Sequence, residues 1–556
     1  PYQPLVTRIE SLGGTVTQQF KYANGIAAQI PRTALANLQS TLPEGAISKD
    51  LDVPAPESVD TLRGRTGLAQ TGEENLITAE DVQPFSDIDT PGSQEVSPNA
   101  YTINNSIMNV SPLHAAGTTG AGVIVAVIDS GIRPGFPHIS IDGSVIGGED
   151  FVGDGLGFSN AANSGHGTFV SGMISANVIF TFGAATTFRN AVLAECPSCF
   201  LNPPTNTQIP MIGSAPLASI YALRVLGPTG GAPTSRVIAA IERAIELREL
   251  FDAGDPAGRN IQVCNLSLGG STNFAGRDLF DTVVDVMLEK GIVPVIAAGN
   301  TGPSSLTISS PGSAFGAITV GAASQAHNER ILRRLQFGQA VGSLYRPFLG
   351  SQTASFSSRG PNADGRVDPD VTSNGFACYG QGTAGGAGTI VLGSGTSFST
   401  SSVSGVAALL RQKYPSATAK QIPNAILISA NAGILDDGST ELDQGRGYVD
   451  ALAASNLLAG GGVADTLEDP GNPNKSVKVN VETGTDLDVR DGIVQQHFDS
   501  LKPGERHEIL YRVGPNTNQV VIALGNVTPA LPPAQQNQLF GDDILLTVHT
   551  AKRLPD

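Results

Sequence analysis

A serine stands in the small-residue stretch Gly393-Ser394-Gly395-Thr396-Ser397-Phe398-Ser399, which runs into an apolar segment from Val403 to Leu410 at helical spacing. The spacing predicts a helix that reads on to Lys413 and is stopped by Tyr414-Pro415. Ser397 then falls on the first turn of a buried helix. There the backbone N–H groups have no intrahelical acceptor, and the local dipole favours negative charge. A hydroxyl in that position can attack a carbonyl while neighbouring N–H groups receive the developing oxyanion. The plain alternative is that Ser397 only caps the helix.

Three upstream residues have side chains that would complete such a reaction. Asp129 follows the apolar run Val123 to Ile128 directly, in Val127-Ile128-Asp129-Ser130-Gly131. In a parallel sheet, ligands collect beyond the carboxyl ends of the strands, so an aspartate there can hold a histidine; otherwise it is a turn residue. His166 is flanked by glycines in Gly165-His166-Gly167-Thr168-Phe169-Val170-Ser171-Gly172, with a helix beginning just after. Histidine titrates near neutrality and is the usual base for a serine. The other histidines between Asp129 and Ser397 are His138, in a proline-rich loop, and His327, in a polar one; neither has glycine flanks. Asn300 closes Val295-Ile296-Ala297-Ala298-Gly299-Asn300 and can donate its amide to an oxyanion, although an Asn after a strand is often a turn residue. The order Asp, His, Ser differs from the chymotrypsin-like and α/β-hydrolase orders.

These residues need a scaffold. Val123 to Ile128, Ile220 to Val225, Val263 to Leu268, Ile292 to Ala298 and Ala317 to Ala322 read as strands. Ser235 to Leu250 and Leu279 to Lys290 read as helices. Strands alternating with helices imply βαβ units and a parallel sheet covered on both faces, an α/β core. Ahead of it, residues 1–56 read as helix (5–12), strand (16–22), strand (26–30), helix (32–42) and strand (47–53). That is a ferredoxin-like unit lacking its first strand. Residues 57–105 are acidic and aperiodic, as in a mobile linker, where proteases cut. Beyond about 460, glycine and proline punctuation and short alternating strands suggest a small β-sandwich over 460–556.

With 556 residues, 40% hydrophobic and 15% charged, the chain can build two to four domains. A net charge of −17 argues against a nucleic-acid partner and suits a soluble or secreted surface. No apolar run is long enough to span a membrane. The chain opens on Pro1 rather than Met, which reads as a processed sequence and leaves export open. Cys196-Pro197-Ser198-Cys199 is a lone C-x-x-C in what reads as a long polar loop, with no second ligand pair for zinc; a local disulfide is the leading reading and free thiols the second.

Over residues 106–459 the chain resembles the subtilisin-like serine proteases. The resemblance rests on the motifs around Asp129, His166 and Ser397. Ile220-Tyr221-Ala222-Leu223-Arg224-Val225-Leu226, Asn265-Leu266-Ser267-Leu268-Gly269-Gly270, Ala298-Gly299-Asn300, Phe356-Ser357-Ser358-Arg359-Gly360-Pro361 and Asp443-Gln444-Gly445-Arg446-Gly447 support it. It implies a three-layer α/β/α catalytic domain and a secreted serine endopeptidase working through a Ser397-His166-Asp129 triad. Asn300 would be the oxyanion donor. Ser267, Leu268, Gly269 and Gly270 would form an edge pairing with substrate backbone, and Ala298 and Gly299 would line the first specificity pocket. Residues 1–56 would be an intramolecular inhibitory propeptide turning at Asn24-Gly25, and the linker would carry the processing site. Phe169 stands where the family usually has His, and Ser401-Ser402 where it usually has Pro-His; none is a reacting group. No acidic residue lies in Ser267 to Phe274 or Ala297 to Ser305, so an uncharged, apolar residue is expected before the cut. No cofactor is required. Structural calcium is compatible with the resemblance, but the 177–216 loop is longer than usual and no site transfers. Asp142, Asp150, Asp154, Asp436 and Asp437 are candidates against a plainer reading as solvated loops. The expected partners are protein or peptide substrates, and the expected state is a monomer. The rivals are a peptide ligase that intercepts the acyl-enzyme with an amine and a non-catalytic binding protein on the same shell.

Overall fold

The computed structural model describes residues 2–43, 46–54, 77–84, 102–133, 144–159, 165–228, 230–272, 274–340, 342, 346, 349–381 and 389–465, with the isolated positions 521, 525 and 528. The N-terminal unit runs α1 (Gln3–Ser11), β1 (Thr15–Gln19), β2 (Ile26–Gln29) and α2 (Arg32–Gln39), with β1 and β2 antiparallel. The expected strand over 47–53 shrinks to β3 (Asp52–Val53), which pairs with Ala232–Pro233 of the following domain instead of closing the unit's own sheet. Its buried residue, Val53, joins that domain's core.

Within the span read as a linker, two strands form: β4 (Ile77–Thr78), paired to Thr389–Ile390, and β5 (Asp81–Pro84), paired to Val178–Thr181. Their pairing uses backbone groups on edges supplied by distant hairpins, so no apolar alternation announces it. Two short helices, α3 (Thr102–Ile107) and α4 (Ser111–Ala115), lead into the core.

The core begins with β6 (Ile124–Asp129) and β7 (Val145–Asp150), followed by α5 (His166–Ser175), β8 (Asn177–Thr181), α6 (Thr187–Glu195), β9 (Gln208–Ile212) and β10 (Ser219–Arg224). The chain continues through β11 (Ala232–Pro233), α7 (Thr234–Asp252), β12 (Ile261–Leu266), β13 (Gly270–Ser271), α8 (Leu279–Glu289), β14 (Val293–Ala297) and β15 (Ser309–Ser310). Then come β16 (Ile318–Gln325), α9 (Ala326–Phe337), β17 (Ser351–Thr353), β18 (Val371–Asn374), β19 (Cys378–Gln381), β20 (Thr389–Gly393), α10 (Thr396–Lys413), α11 (Gln421–Ser429), α12 (Glu441–Gln444) and α13 (Ala451–Ala459).

Eight strands make the central sheet, in the order β17-β16-β14-β12-β6-β10-β7 with β18 also on β16. All its pairings are parallel except β16 with β17. Alternate residues of β6 enter opposite faces. Val125 and Val127 pack with Val170 of α5 and Val403 and Ala407 of α10; Ala126 and Ile128 pack with Val237 and Ile241 of α7 and Val284 of α8. The domain is therefore a three-layer α/β/α sandwich, as expected. The strand order reverses at β6, the first strand of the sheet, since β10 and β7 lie on one side of it and β12, β14 and β16 add on the other. That leaves a crevice beyond its carboxyl end, where Asp129 sits.

The segment 177–216 is not an open polar loop. It folds as β8, α6 and β9, and Phe180, Phe182, Phe188, Val192 and Met211 are buried in the main core. Glu195 at its tip is clamped by Arg334 at 2.7 Å and Arg330 at 3.4 Å from α9. Cys196 and Cys199 form the local disulfide. The expected β-sandwich over 460–556 lies outside the described residues, apart from the isolated positions and the end of the catalytic domain. No helix among the described residues is long and apolar enough to cross a membrane.

Candidate active site

Asp129 is the last residue of β6 and is buried; its carboxylate accepts from the Ser130 N–H at 2.6 Å. His166 is the first residue of α5, and its Nδ1 lies 2.9 Å from both Asp129 oxygens. With that nitrogen as donor, the ring is held in one tautomer and Nε2 is the basic nitrogen. The close approach depends on Gly167: a Cβ there would run into the Gly131 carbonyl oxygen and lie 3.2 Å from Asp129 Oδ1. The Gly167 N–H donates to Ser130 Oγ at 3.0 Å, tying the start of α5 to the end of β6.

Ser397 is the second residue of α10, so its N–H belongs to the unpaired first turn. Its hydroxyl is buried and donates to the Ser267 carbonyl at 3.1 Å, while the Ser267 hydroxyl donates to the Ser397 carbonyl at 2.9 Å. The Ser397 side chain thus rests on the edge segment. The ring of His166 lies 5.8 Å from that of Phe398, the next residue, so imidazole and hydroxyl share one rim. Ser267 is itself fixed by Asn265 Nδ2 at 3.0 Å, whose Oδ1 accepts from Ser404 Oγ at 2.9 Å.

Asn300 is brought to the same place by Thr396. The Thr396 N–H and Oγ1–H donate to Asn300 Oδ1 at 2.9 and 3.0 Å. A backbone N–H can only donate, so Oδ1 must be the end it meets and Nδ2 is the end left to donate to an oxyanion. Thr396 Oγ1 also accepts from the Gly299 N–H at 3.3 Å. All four expected residues therefore meet at the carboxyl edge of the sheet.

The expected substrate edge is only partly strand-like. Gly270 and Ser271 pair with Ser310 and Ser309, so one side of this edge is taken by the protein itself; Leu268 is buried in the core. Ala298 accepts from both the N–H and the hydroxyl of Ser309, at 2.9 and 3.0 Å. Gly299 has φ +112°, and a Cβ there would crowd Ser358 Oγ and Ser309 Oγ. A Cβ on Gly269 would lie 2.7 Å from the same Ser309 hydroxyl. Ser309 thus sits between the two segments. Sequence reasoning missed it, along with Thr396 and Ser130. Thr396 and Ser130 had a signal, each adjoining a candidate residue; Ser309 had none.

The departures at 169, 401 and 402 are accommodated. Phe169 packs on Phe398 with ring centroids 4.4 Å apart. Ser401 and Ser402 donate back to the carbonyls of Ser397 and Phe398 at 2.8 and 3.2 Å. Of the acidic candidates, Asp150 and Asp154 pair with Arg224 at 3.2 and 2.7 Å, and the guanidinium holds the Asp154 carboxyl down at about 2. Asp437 accepts from the N–H groups of Thr353 and Ser439 at 2.6 and 3.1 Å, and the Asp436 N–H donates to Ser351. Asp142 lies outside the described residues. No cluster of metal-ligating side chains occurs among the described residues.

A doubly covered parallel sheet with a serine at a helix start, a histidine-aspartate pair and an amide at one rim defines a serine hydrolase of the α/β/α class. The sequence comparisons narrow this. A profile described as the subtilase family matches residues 120–449. Subtilisin E of Bacillus subtilis is 31% identical over 416 residues, covering 74% of this chain and 77% of its own. Subtilisin of Bacillus pumilus is 33% identical over 312 residues, 56% of this chain and 84% of that protein. M-protease of Shouchella clausii is 31% identical over 344 residues, 62% and 66% of the two chains. The chain belongs to the subtilase family and is a serine endopeptidase.

Proposed function

We propose that the enzyme hydrolyses protein peptide bonds with Ser397 as nucleophile, His166 as general base and then acid, and Asp129 as the residue that fixes the imidazole and offsets its charge. Asn300 Nδ2 and the Ser397 N–H receive the oxyanion, and water resolves the acyl-enzyme. The observation that carries this reading is the Nδ1 contact of His166 with both oxygens of buried Asp129 at 2.9 Å, at the rim where α10 begins. A fluorophosphonate probe should label the protein at Ser397, and Ser397→Ala should abolish both labelling and hydrolysis; labelling that survives the substitution overturns the assignment.

Substrate backbone lies along Ser267 to Gly270 and the residue before the cut enters between that segment and Ala298-Gly299. Neither segment carries an acidic side chain, which supports an apolar preference. A peptide library that selects Arg or Lys there would contradict it. Residues 1–56 act as an intramolecular inhibitor, and the chain is cut between that unit and the catalytic domain. Support comes from how the unit docks. The N–H groups of Lys21, Tyr22 and Ala23 converge on the Glu242 carboxylate at 3.0, 2.5 and 2.9 Å, and Asp50 caps α7 through Ser235 N–H at 2.9 Å. The net charge of −17 and the disulfide support work outside the cell as a monomer.

A further inference from the structure

Behind the wall that β15 builds opposite Gly270 lie two carboxyl groups that the reaction does not use. Asp278 is the N-cap of α8, and its side chain accepts from the Asp281 N–H at 2.8 Å and from Thr272 Oγ1 at 2.7 Å. Asp281, in the first turn of the helix, is fully buried. Its Oδ2 accepts from the Gly276 N–H at 2.6 Å and the Ser313 hydroxyl at 2.7 Å. Its Oδ1 lies 2.8 Å from Ser310 Oγ, and that same oxygen lies 3.1 Å from Asp278 Oδ1.

Proton counting requires one of the two carboxyls to hold a proton, and the deeper burial of Asp281 assigns it there. A serine hydroxyl carries one proton, so Ser310 cannot donate to two carboxylates at once. If Asp281 is protonated on Oδ1, every contact is satisfied. The Asp281 O–H donates to Ser310, the Ser310 O–H donates to Asp278, and Asp281 Oδ2 accepts twice. Asp278 is only half-buried and stands at the helix N-terminus, where the dipole favours negative charge, whereas Asp281 is fully buried.

We propose, resting on the protease reading above, that Asp281 is a neutral carboxylic acid in the working enzyme and a positioning residue for the primary specificity pocket, holding Ser310 through a relay that ends on Asp278. The consequence for the pocket is direct. Ser310 and Ser309 are the partners of Gly270 and Ser271, and Ser309 also fixes Ala298 and touches the space beside Gly269 and Gly299. One buried proton therefore holds the element that joins the two pocket segments.

The surroundings agree with a retained proton. Burial and the neighbouring Asp278 charge raise the Asp281 carboxyl to about 8. On its own helix the other facing carboxylate is Asp285, which accepts from the Gly316 N–H at 2.6 Å. From the segment packed against it come Arg366, Asp364 and Asp368. Arg366 donates to Asp364 at 2.7 Å and to the Ser313 carbonyl at 2.5 Å, and Asp364 and Asp368 both face its charge more strongly than Asp281 does. Arg277 is exposed. Ionising Asp281 sends its proton to solvent, leaves Ser310 between two anions and loosens the wall.

The experiment measures KM and kcat of the matured enzyme against pH on an uncharged peptide substrate whose residue before the cut fills the pocket. Wild type should show KM rising about tenfold, with kcat little changed, as pH passes the value near 8, the scale expected for losing one buried hydrogen-bonded link. Asp281→Asn, which can donate and accept but cannot ionise, should keep KM flat over the same range. Ser310→Ala, which cuts the relay, should have a raised KM at every pH. A flat wild-type profile, an Asp281→Asn profile that rises like wild type, or a wild-type KM in Ser310→Ala overturns the proposal. The Ser310→Ala arm decides the matter should Asp281→Asn not fold. Fluorophosphonate labelling of Ser397, run alongside, keeps the two readings apart: an unlabelled wild type defeats the protease assignment, whereas normal labelling with the wrong KM profiles defeats only the role of Asp281.

Discussion

The rim around Ser397 and the face that holds the N-terminal unit are bonded in opposite ways. At the rim, Asp129, Ser267, Thr396, Ser397, Ser402 and Ser404 are all buried, and their bonds join β6, α5, the end of β12 and α10 inside one continuous core. At the docking face the contacts are charge-assisted and partly wet. Glu242 takes three N–H groups. Glu249 takes Lys21 at 3.1 Å and the Tyr22 hydroxyl, and among the described residues of the unit only Phe20, Ala23 and Val53 are buried in the core beneath. A group fixed on every side by packed elements stays in place through turnover. On the proposed reading, a unit held through Glu242, Glu249, its own Asp50 and a two-residue strand leaves once the chain behind it is cut. The candidate catalytic rim and the proposed inhibitor thus differ less in the number of their bonds than in whether those bonds are enclosed by the fold.

The comparison can be broken at four points besides Asp281. Ser397→Ala removes the reacting atom while leaving the rim packed; peptidase kinetics should fall by about a millionfold, the loss such a substitution produces in a subtilisin. Asn300→Ala should cost roughly a hundredfold to a thousandfold in kcat with little change in KM, again the scale known for a subtilisin, because its Nδ2, the end not turned to Thr396, is the one left to meet the oxyanion. Glu242→Ala leaves three N–H groups without their shared acceptor. Inhibition by a separately added N-terminal unit should weaken by about a hundredfold, or ~3 kcal/mol, while peptidase activity of the matured form stays at wild-type level. Glu249→Gln should weaken the same inhibition less, by about fivefold or under, as befits a half-exposed ion pair. Glu249 also sets a pH window. Lys290 first, then the Tyr22 hydroxyl and Lys21, hold its carboxyl down at about 2. A depressed carboxylate contributes docking above its ordinary range and loses that contribution as pH falls toward the depressed value. Inhibition should therefore be insensitive to Glu249 protonation at neutral and mildly acidic pH and weaken only in strong acid. A loss already complete near neutrality would show that another group governs release.

Much of this was legible in the residues. Val123 to Ile128 read as a doubly buried strand and is one; Leu279 to Lys290 read as a helix and forms over Leu279–Glu289. Continuous apolar runs and 3.6-residue periodicity report burial locally, so they survive without knowledge of partners. The strands at 77–84 and the hairpin β19–β20 gave no such signal, because their hydrogen bonds are made by backbone to residues far along the chain. The folded segment 177–216 was misread for a related reason: its phenylalanines are spaced irregularly, and only the groove beneath them shows that they are core. Asp281 carried no signal of its own. An acidic residue in the first turn of a helix is an ordinary start signal, and nothing local distinguishes a solvated one from one sealed under β15.

Composition and motif order alone were enough to specify an acidic α/β serine endopeptidase and to nominate Asp129, His166, Asn300 and Ser397 as its reacting set, since glycine flanks and strand ends are written in neighbouring residues. Folding in three dimensions decided the rest: that Thr396 orients Asn300, that Ser309 bridges two pocket segments, and that one carboxyl behind them keeps its proton. Those facts depend on distances between groups up to nearly a hundred residues apart and on how much water each retains, and neither quantity exists until the layers close.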